Sequence, residues 1–145
     1  FAKFHLDVGI GDIILDEPEW INGEDYLSFA SIPPARFRII PVAQQFAEKV
    51  HSYTLPRTGG VNSRVKDLVD LTLILDQDPP DAKSVKSAVE STFGRRATHE
   101  IPGSFAAAPT TWVSSYTAMA QELNLTQTTI ESAVSRLNDY WKTIF

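Results

Sequence analysis

PVAQQFAEKVHSYTLPRTGGVNSRVKDLVDLTLIL, Pro41 to Leu75, decides how the rest of this 145-residue chain is read. Ala43, Phe46, Ala47 and Val50 recur at the spacing of one helical face, and Val65, Leu68, Val69 and Leu73 do so again after a glycine-bearing turn. The pattern predicts two amphipathic helices, at about 42–54 and 63–76, joined by the loop Pro56-Arg57-Thr58-Gly59-Gly60. Off the stripes stand Glu48, Lys49 and His51 on the first helix, and Arg64, Lys66, Asp67 and Asp70 on the second. Asp67 and Asp70 are three apart and share one helix surface. Such charges are usually a solvated face. Arg64 would pair with Asp67 and Lys66 with Asp70, while Asn62 or Ser63 caps the helix and Asp67 suits its dipole.

Composition sets the outer limits. Hydrophobic residues make up 43% and charged residues 21%, the balance of a globular core. No apolar run reaches membrane-spanning length, and no leader pattern opens the chain. The absence of cysteine removes disulfides and thiolate metal sites, and fits a cytoplasmic protein. A net charge of −5 argues against non-specific duplex binding, although a local basic patch remains compatible with it. The chain opens at Phe1 without methionine, in strand-like sequence, so part of the natural protein is expected to precede it.

Phe1 to Ile10 alternates as a strand, with Phe4, Leu6 and Val8 on one side and Lys3, His5 and Asp7 on the other. Glu17-Pro18-Glu19-Trp20 and Asn22-Gly23 read as loops, and Tyr26 to Ser31 as a short strand ended by Pro33-Pro34. Ala35 to Ile40 is a second alternating strand with Arg36 and Arg38 on one face, facing either phosphates or solvent. Asp78-Pro79-Pro80-Asp81 leads into a third helix at about 82–93, with Val85, Ala88, Val89 and Phe93 inward and Gly94 closing it. Thr110 opens a fourth, carrying Trp112, Tyr116, Met119, Ala120 and Leu123 inward and ending at Asn124. Thr126 caps a fifth, with Ile130, Ala133, Val134, Leu137, Trp141 and Ile144 inward. The expected fold is α+β: residues 1–40 form part of a small sheet, and 41–145 a region of about five helices, the last three a bundle against the rest.

Taken in order, LDVGIGD near the start, AEKVH in a helix and NSRVKDLVDL opening the next resemble the nucleotidyl transferase AbiEii/AbiGii toxin family. That family is a branch of the DNA polymerase β-like nucleotidyltransferases. The resemblance implies an abortive-infection or type IV toxin–antitoxin protein that transfers NMP from an NTP to an acceptor, tRNA among them, using Mg²⁺. It implies that Asp7 is a metal-binding carboxylate, that Lys49 faces the triphosphate, and that Lys66, Asp67 and Asp70 complete the catalytic set, with the essential one of the two aspartates left open. Two metals clamping the attacking and leaving oxygens is the chemistry such carboxylates serve. Arg36, Arg38 and Arg64, with Arg57, Arg95 and Arg96, are the basic residues available to nucleotide or RNA. The chain departs from the family pattern in holding no Gly-Ser followed by Asp-x-Asp. The expectation is therefore that these 145 residues alone are inactive and that an intact parent is active. The other readings are a non-catalytic module that binds an antitoxin, nucleotide or nucleic acid, and a structural helical domain.

Overall fold

In the computed structural model the described residues are 13–56 and 64–145. The expected strand with Asp7, the expected loop with Arg57 and Gly59-Gly60, and the caps expected at Asn62 or Ser63 fall on residues outside them. The chain divides into two compact units, Phe1–Ile40 and Pro41–Phe145. Among the described residues a two-stranded sheet and five α-helices give the α+β architecture that the sequence predicts.

In the first unit, β1 (Glu19–Asn22) pairs antiparallel with β2 (Arg36–Ile39), Trp20 opposite Arg38 and Asn22 opposite Arg36. Two expectations are corrected here. The Glu-Pro-Glu-Trp and Asn-Gly segments are not loops throughout, because Glu19–Asn22 finds a partner in the Arg36 strand. Tyr26 to Ser31 is no strand; Ser28–Ala30 is a 3₁₀ turn whose first N–H donates to the Asp25 carboxylate at 3.0 Å. The Gly23 N–H donates to the Ala35 carbonyl at 2.7 Å, and a Cβ at Gly23 would stand 3.0 Å from the Phe37 ring. Glycine suits that close approach.

The second unit is helical. α1 (Val42–Thr54) starts directly after Pro41, whose carbonyl accepts from the Gln44 and Gln45 N–H groups. It stops where Leu55 turns extended ahead of Pro56. α2 (Val65–Gln77) likewise ends where Asp78 turns extended ahead of Pro79. α3 (Ala82–Arg96) is capped by Asp81, which accepts from the Ser84 N–H at 2.9 Å. It runs past Gly94 to a left-handed Ala97, so glycine is not its terminator. A 3₁₀ turn, Thr110–Trp112, leads into α4 (Val113–Glu122), and Asn124 closes the turn after it at φ 53°. α5 (Ile130–Trp141) is capped by Thr129 rather than Thr126, the Thr129 hydroxyl accepting from the Ser132 N–H. Thr126 instead gives its N–H and hydroxyl to the Asp76 carboxylate at 2.7 and 2.6 Å, tying the start of the α5 segment to the end of α2.

α1 packs between α2 and α3, while α4 and α5 both pack on α2. The expected grouping of the last three helices gives way to this, because α3 buries its stripe of Val85, Ala88, Val89 and Phe93 and lies mainly along α1. Phe46, Val50, Leu68, Leu71, Leu75, Tyr116, Leu137 and Trp141 fill the centre. On α2 the buried face is Leu68, Val69, Leu71, Thr72 and Leu75, wider than the predicted stripe, and Val65 and Leu73 sit at its margins. Leu123 is exposed and Leu125 takes its place inside, because the left-handed Asn124 turns the chain back there. Asn138 on α5 holds the preceding connector: it accepts from the Phe105 N–H at 2.8 Å and donates to the Phe105 carbonyl at 3.0 Å. The Trp141 indole adds a bond to the Pro102 carbonyl at 2.9 Å.

Candidate functional site

The seam between α1 and α2 gathers the charged residues of the family motifs. Lys49 projects from α1 and donates to Asp70 Oδ2 at 2.5 Å, with Asp67 Oδ1 at 3.7 Å. Arg64, at the foot of α2, stands 3.6 Å from Asp67 Oδ2. Asp70 thus meets Lys49 across the helix pair instead of Lys66 along its own helix, and Lys66 is exposed. The three central groups differ in surroundings. Lys49 and Asp70 are about 40% exposed, whereas Asp67, expected on a solvated face, is buried at 8%.

That burial has an electrostatic consequence. Desolvation pushes the Asp67 carboxyl above its ordinary value, and the nearby Lys49 and Arg64 charges only partly offset it. Desolvation also acts against the Lys49 ammonium, but the hydrogen bond and charge of Asp70, helped by Asp67, outweigh it and raise Lys49. The two partners therefore point in opposite senses about how favourable the cluster is. The distances reconcile them: Asp70 is in direct contact with Lys49, while Asp67 is too far away to recover its lost hydration. Asp67 Oδ2 is a buried oxygen without a hydrogen-bond partner. The arrangement fits a lysine held protonated and aimed outward, with one carboxylate fixing it and a second kept in reserve beneath.

The basic residues divide sharply. Arg95 and Arg96 both bind the Glu48 carboxylate, Arg95 at 2.8 Å, tying the end of α3 to α1. On the hairpin, Arg36 and Arg38 stand over the Trp20 ring, 4.8 and 5.7 Å from its centroid. Arg57 and Asp7 lie outside the described residues. Among the described residues no group of three or more His, Asp or Glu side chains gathers as a metal-ligand set, and no helix is long and apolar enough to cross a membrane. Asp67 and Asp70 face cationic side chains, so by themselves they do not fit a Mg²⁺ site.

Sequence reasoning missed one cluster. His51, placed off the stripe, is buried; its ring lies tilted against that of His99 with centroids 4.8 Å apart, and it meets Phe93 edge-on at 5.0 Å. The Thr54 hydroxyl donates to the Val50 carbonyl and so accepts from His99 Nε2 at 2.8 Å. The Thr98 hydroxyl meets His99 Nδ1 at 3.1 Å and His51 Nε2 at 2.8 Å. With both rings neutral, Thr98 donates to His99 and accepts from His51, and every proton in the chain is used. Gln44, Ala47 and His51 do stand at the spacing of the buried face, which is the signal that was available.

No curated protein matches the chain. The sequence profile described as nucleotidyl transferase AbiEii toxin, type IV TA system, matches residues 1–143, nearly the whole length, including the Lys49 helix and the Arg64-to-Asp70 helix start that meet at the seam. The chain belongs to the nucleotidyl transferase AbiEii toxin family.

Proposed function

We propose that this chain supplies the triphosphate-binding lysine and its supporting carboxylates to a toxin that transfers NMP from an NTP to an acceptor hydroxyl, tRNA being the acceptor to try first. In that reaction the acceptor oxygen bonds to the α-phosphorus and the bond to the bridging oxygen breaks. Pyrophosphate leaves, and the hydroxyl proton passes to a base. The observation that carries the reading is the Lys49 clasp. An ammonium has three donors, and Asp70 takes one at 2.5 Å, leaving the half-exposed remainder for phosphate oxygens. Asp70, helped by Asp67, keeps Lys49 charged, and Arg64 and Lys66 extend the positive rim.

Mg²⁺ enters only through Asp7, together with a Gly-Ser followed by Asp-x-Asp, an order that these 145 residues do not contain: Asp76-Gln77-Asp78 precedes Gly103-Ser104. When bound, it supplies charge stabilisation at the transferring phosphoryl group. The protein is proposed to act in the cytoplasm and to have a cognate antitoxin as a partner.

The test is a labelled-NTP transfer assay with Mg²⁺ and bulk tRNA, using the full reading frame that encodes this chain. Lys49→Ala and Asp7→Asn should each lower transfer by about 100-fold or more, the loss seen when one preorganised charge-stabilising group is removed. The 145 residues assayed alone should transfer nothing. Undiminished transfer by Lys49→Ala would overturn the proposal. Absence of transfer from the full frame with any NTP would favour a module that binds without chemistry.

A further inference from the structure

Of the basic residues nominated from sequence, the structure separates those already engaged from those still available. Arg64 faces Asp67, and Arg95 and Arg96 face Glu48. Arg136, not among those nominated, donates to the Leu75 carbonyl. Arg36 and Arg38 have no carboxylate or carbonyl partner among the described residues, only the indole of Trp20.

The register explains why they act together. In an antiparallel pair, directly opposed residues share a face and alternate residues along each strand return to it. Trp20 opposite Arg38 and Asn22 opposite Arg36 therefore place Trp20, Asn22, Arg36 and Arg38 on one face. Glu19, Ile21, Phe37 and Ile39 fall on the other, so the neighbouring carboxylate of Glu19 is directed away from the guanidiniums. Trp20 is 57% exposed and both arginines are exposed.

A guanidinium lying on an indole loses none of its in-plane N–H donors, and the stack restricts its rotation. Two such groups two residues apart on a strand form a short row of forked donors. An amide (Asn22) and an aromatic edge (Trp20) lie beside them. Phosphodiester oxygens accept from forked donors, and bases stack on aromatic rings. The acidic chain around it, at net −5, makes this a local site with little pull on duplex at large.

We propose that this hairpin face grips the backbone of a single-stranded nucleic-acid acceptor, with Arg36 and Arg38 on successive phosphates and Trp20 holding them in place. Transfer to a nucleic-acid end is the reading that names the occupant. The site itself is argued from the hairpin.

The experiment is fluorescence anisotropy of the full chain with a labelled single-stranded RNA, without NTP, across a salt series. Arg36→Gln with Arg38→Gln should weaken binding at least about tenfold at low salt. It should also flatten the slope of log K against log salt by about 1.4, the value for two single-strand phosphate contacts. Trp20→Leu should weaken binding while leaving most of that slope, because the charges remain. Lys142→Gln, which removes a charge paired with Asp139 on α5, should change neither. Binding and slope in the double variant equal to those of Lys142→Gln would overturn the site, as would no detectable binding by the unaltered chain. Equal competition by poly-glutamate would overturn it in favour of an acidic protein partner. Because no NTP is present, the two readings fail separately. An inactive protein that binds through this face sinks only the transfer reading, and an active one indifferent to both arginines sinks only this site.

Discussion

Asp67 and Asp70 are three residues apart on α2, with opposite circumstances. Asp70 is half-exposed and clasped by Lys49; Asp67 is buried and pushed above the ordinary carboxylate value by desolvation. A carboxyl whose folded value is raised favours the fold below its unfolded value, 3.8, and that advantage is lost as pH rises through the folded value. Asp67→Asn should therefore gain stability relative to the native chain as pH climbs from about 4 toward neutrality. Urea unfolding of both proteins across that range checks it, and parallel curves would contradict it. Spacing alone showed that both carboxylates share a surface. Which one is buried depends on how α1 crosses α2, and nothing local records that. A second residue-level case is Ala97, held at φ 46° beyond α3. Glycine adopts that region without the Cβ clash, so Ala97→Gly should raise stability by about 0.5 kcal/mol in the same urea titration, after the entropy lost in the unfolded chain.

Among the elements, long periodic stripes were legible and short pieces were not. All six residues predicted to face inward on and just past α5 are buried. The α1 limits hold because Pro41 and Pro56 stand at both ends. β1 and β2 are four residues each, and β1 is preceded by Glu-Pro, so their pairing had no periodic signal to declare it. Caps were legible as a type but not as a position. Thr126 and Thr129 both precede the α5 stripe, and only the tertiary contact of Thr126 with Asp76 separates them. Thr129→Ala should remove about 1 kcal/mol by thermal or urea unfolding. The cluster of His51 and His99 makes a pH-dependent element of the α1 end and the segment after α3. Burial lowers both rings below the usual 6.5; His99 and Arg96 push His51 further down, and Glu48 opposes them. The neutral rings stabilise the fold fully above 6.5, and that contribution is lost as pH falls below it. The melting temperature should drop from pH 7 to pH 5, and His51→Gln with His99→Gln should flatten the drop.

At the scale of the molecule, every buried apolar side chain among the described residues belongs to the unit from Pro41 onward. Residues 41–145 alone should therefore keep helical circular dichroism and melt cooperatively, and a broad, non-cooperative transition would contradict it. Within that unit, Trp141→Ala should remove about 3–5 kcal/mol, since its ring is 1% exposed and meets Phe105 edge-on at 5.1 Å. The placement of the three tryptophans has an optical consequence. Trp112 and Trp141 are shielded inside the helical unit, while Trp20 stands in water on the hairpin. Selective indole excitation thus yields two spectrally distinct populations in one unlabelled protein. A collisional quencher such as iodide should extinguish the red-shifted Trp20 emission and spare the blue. The chain carries its own reporter for each unit.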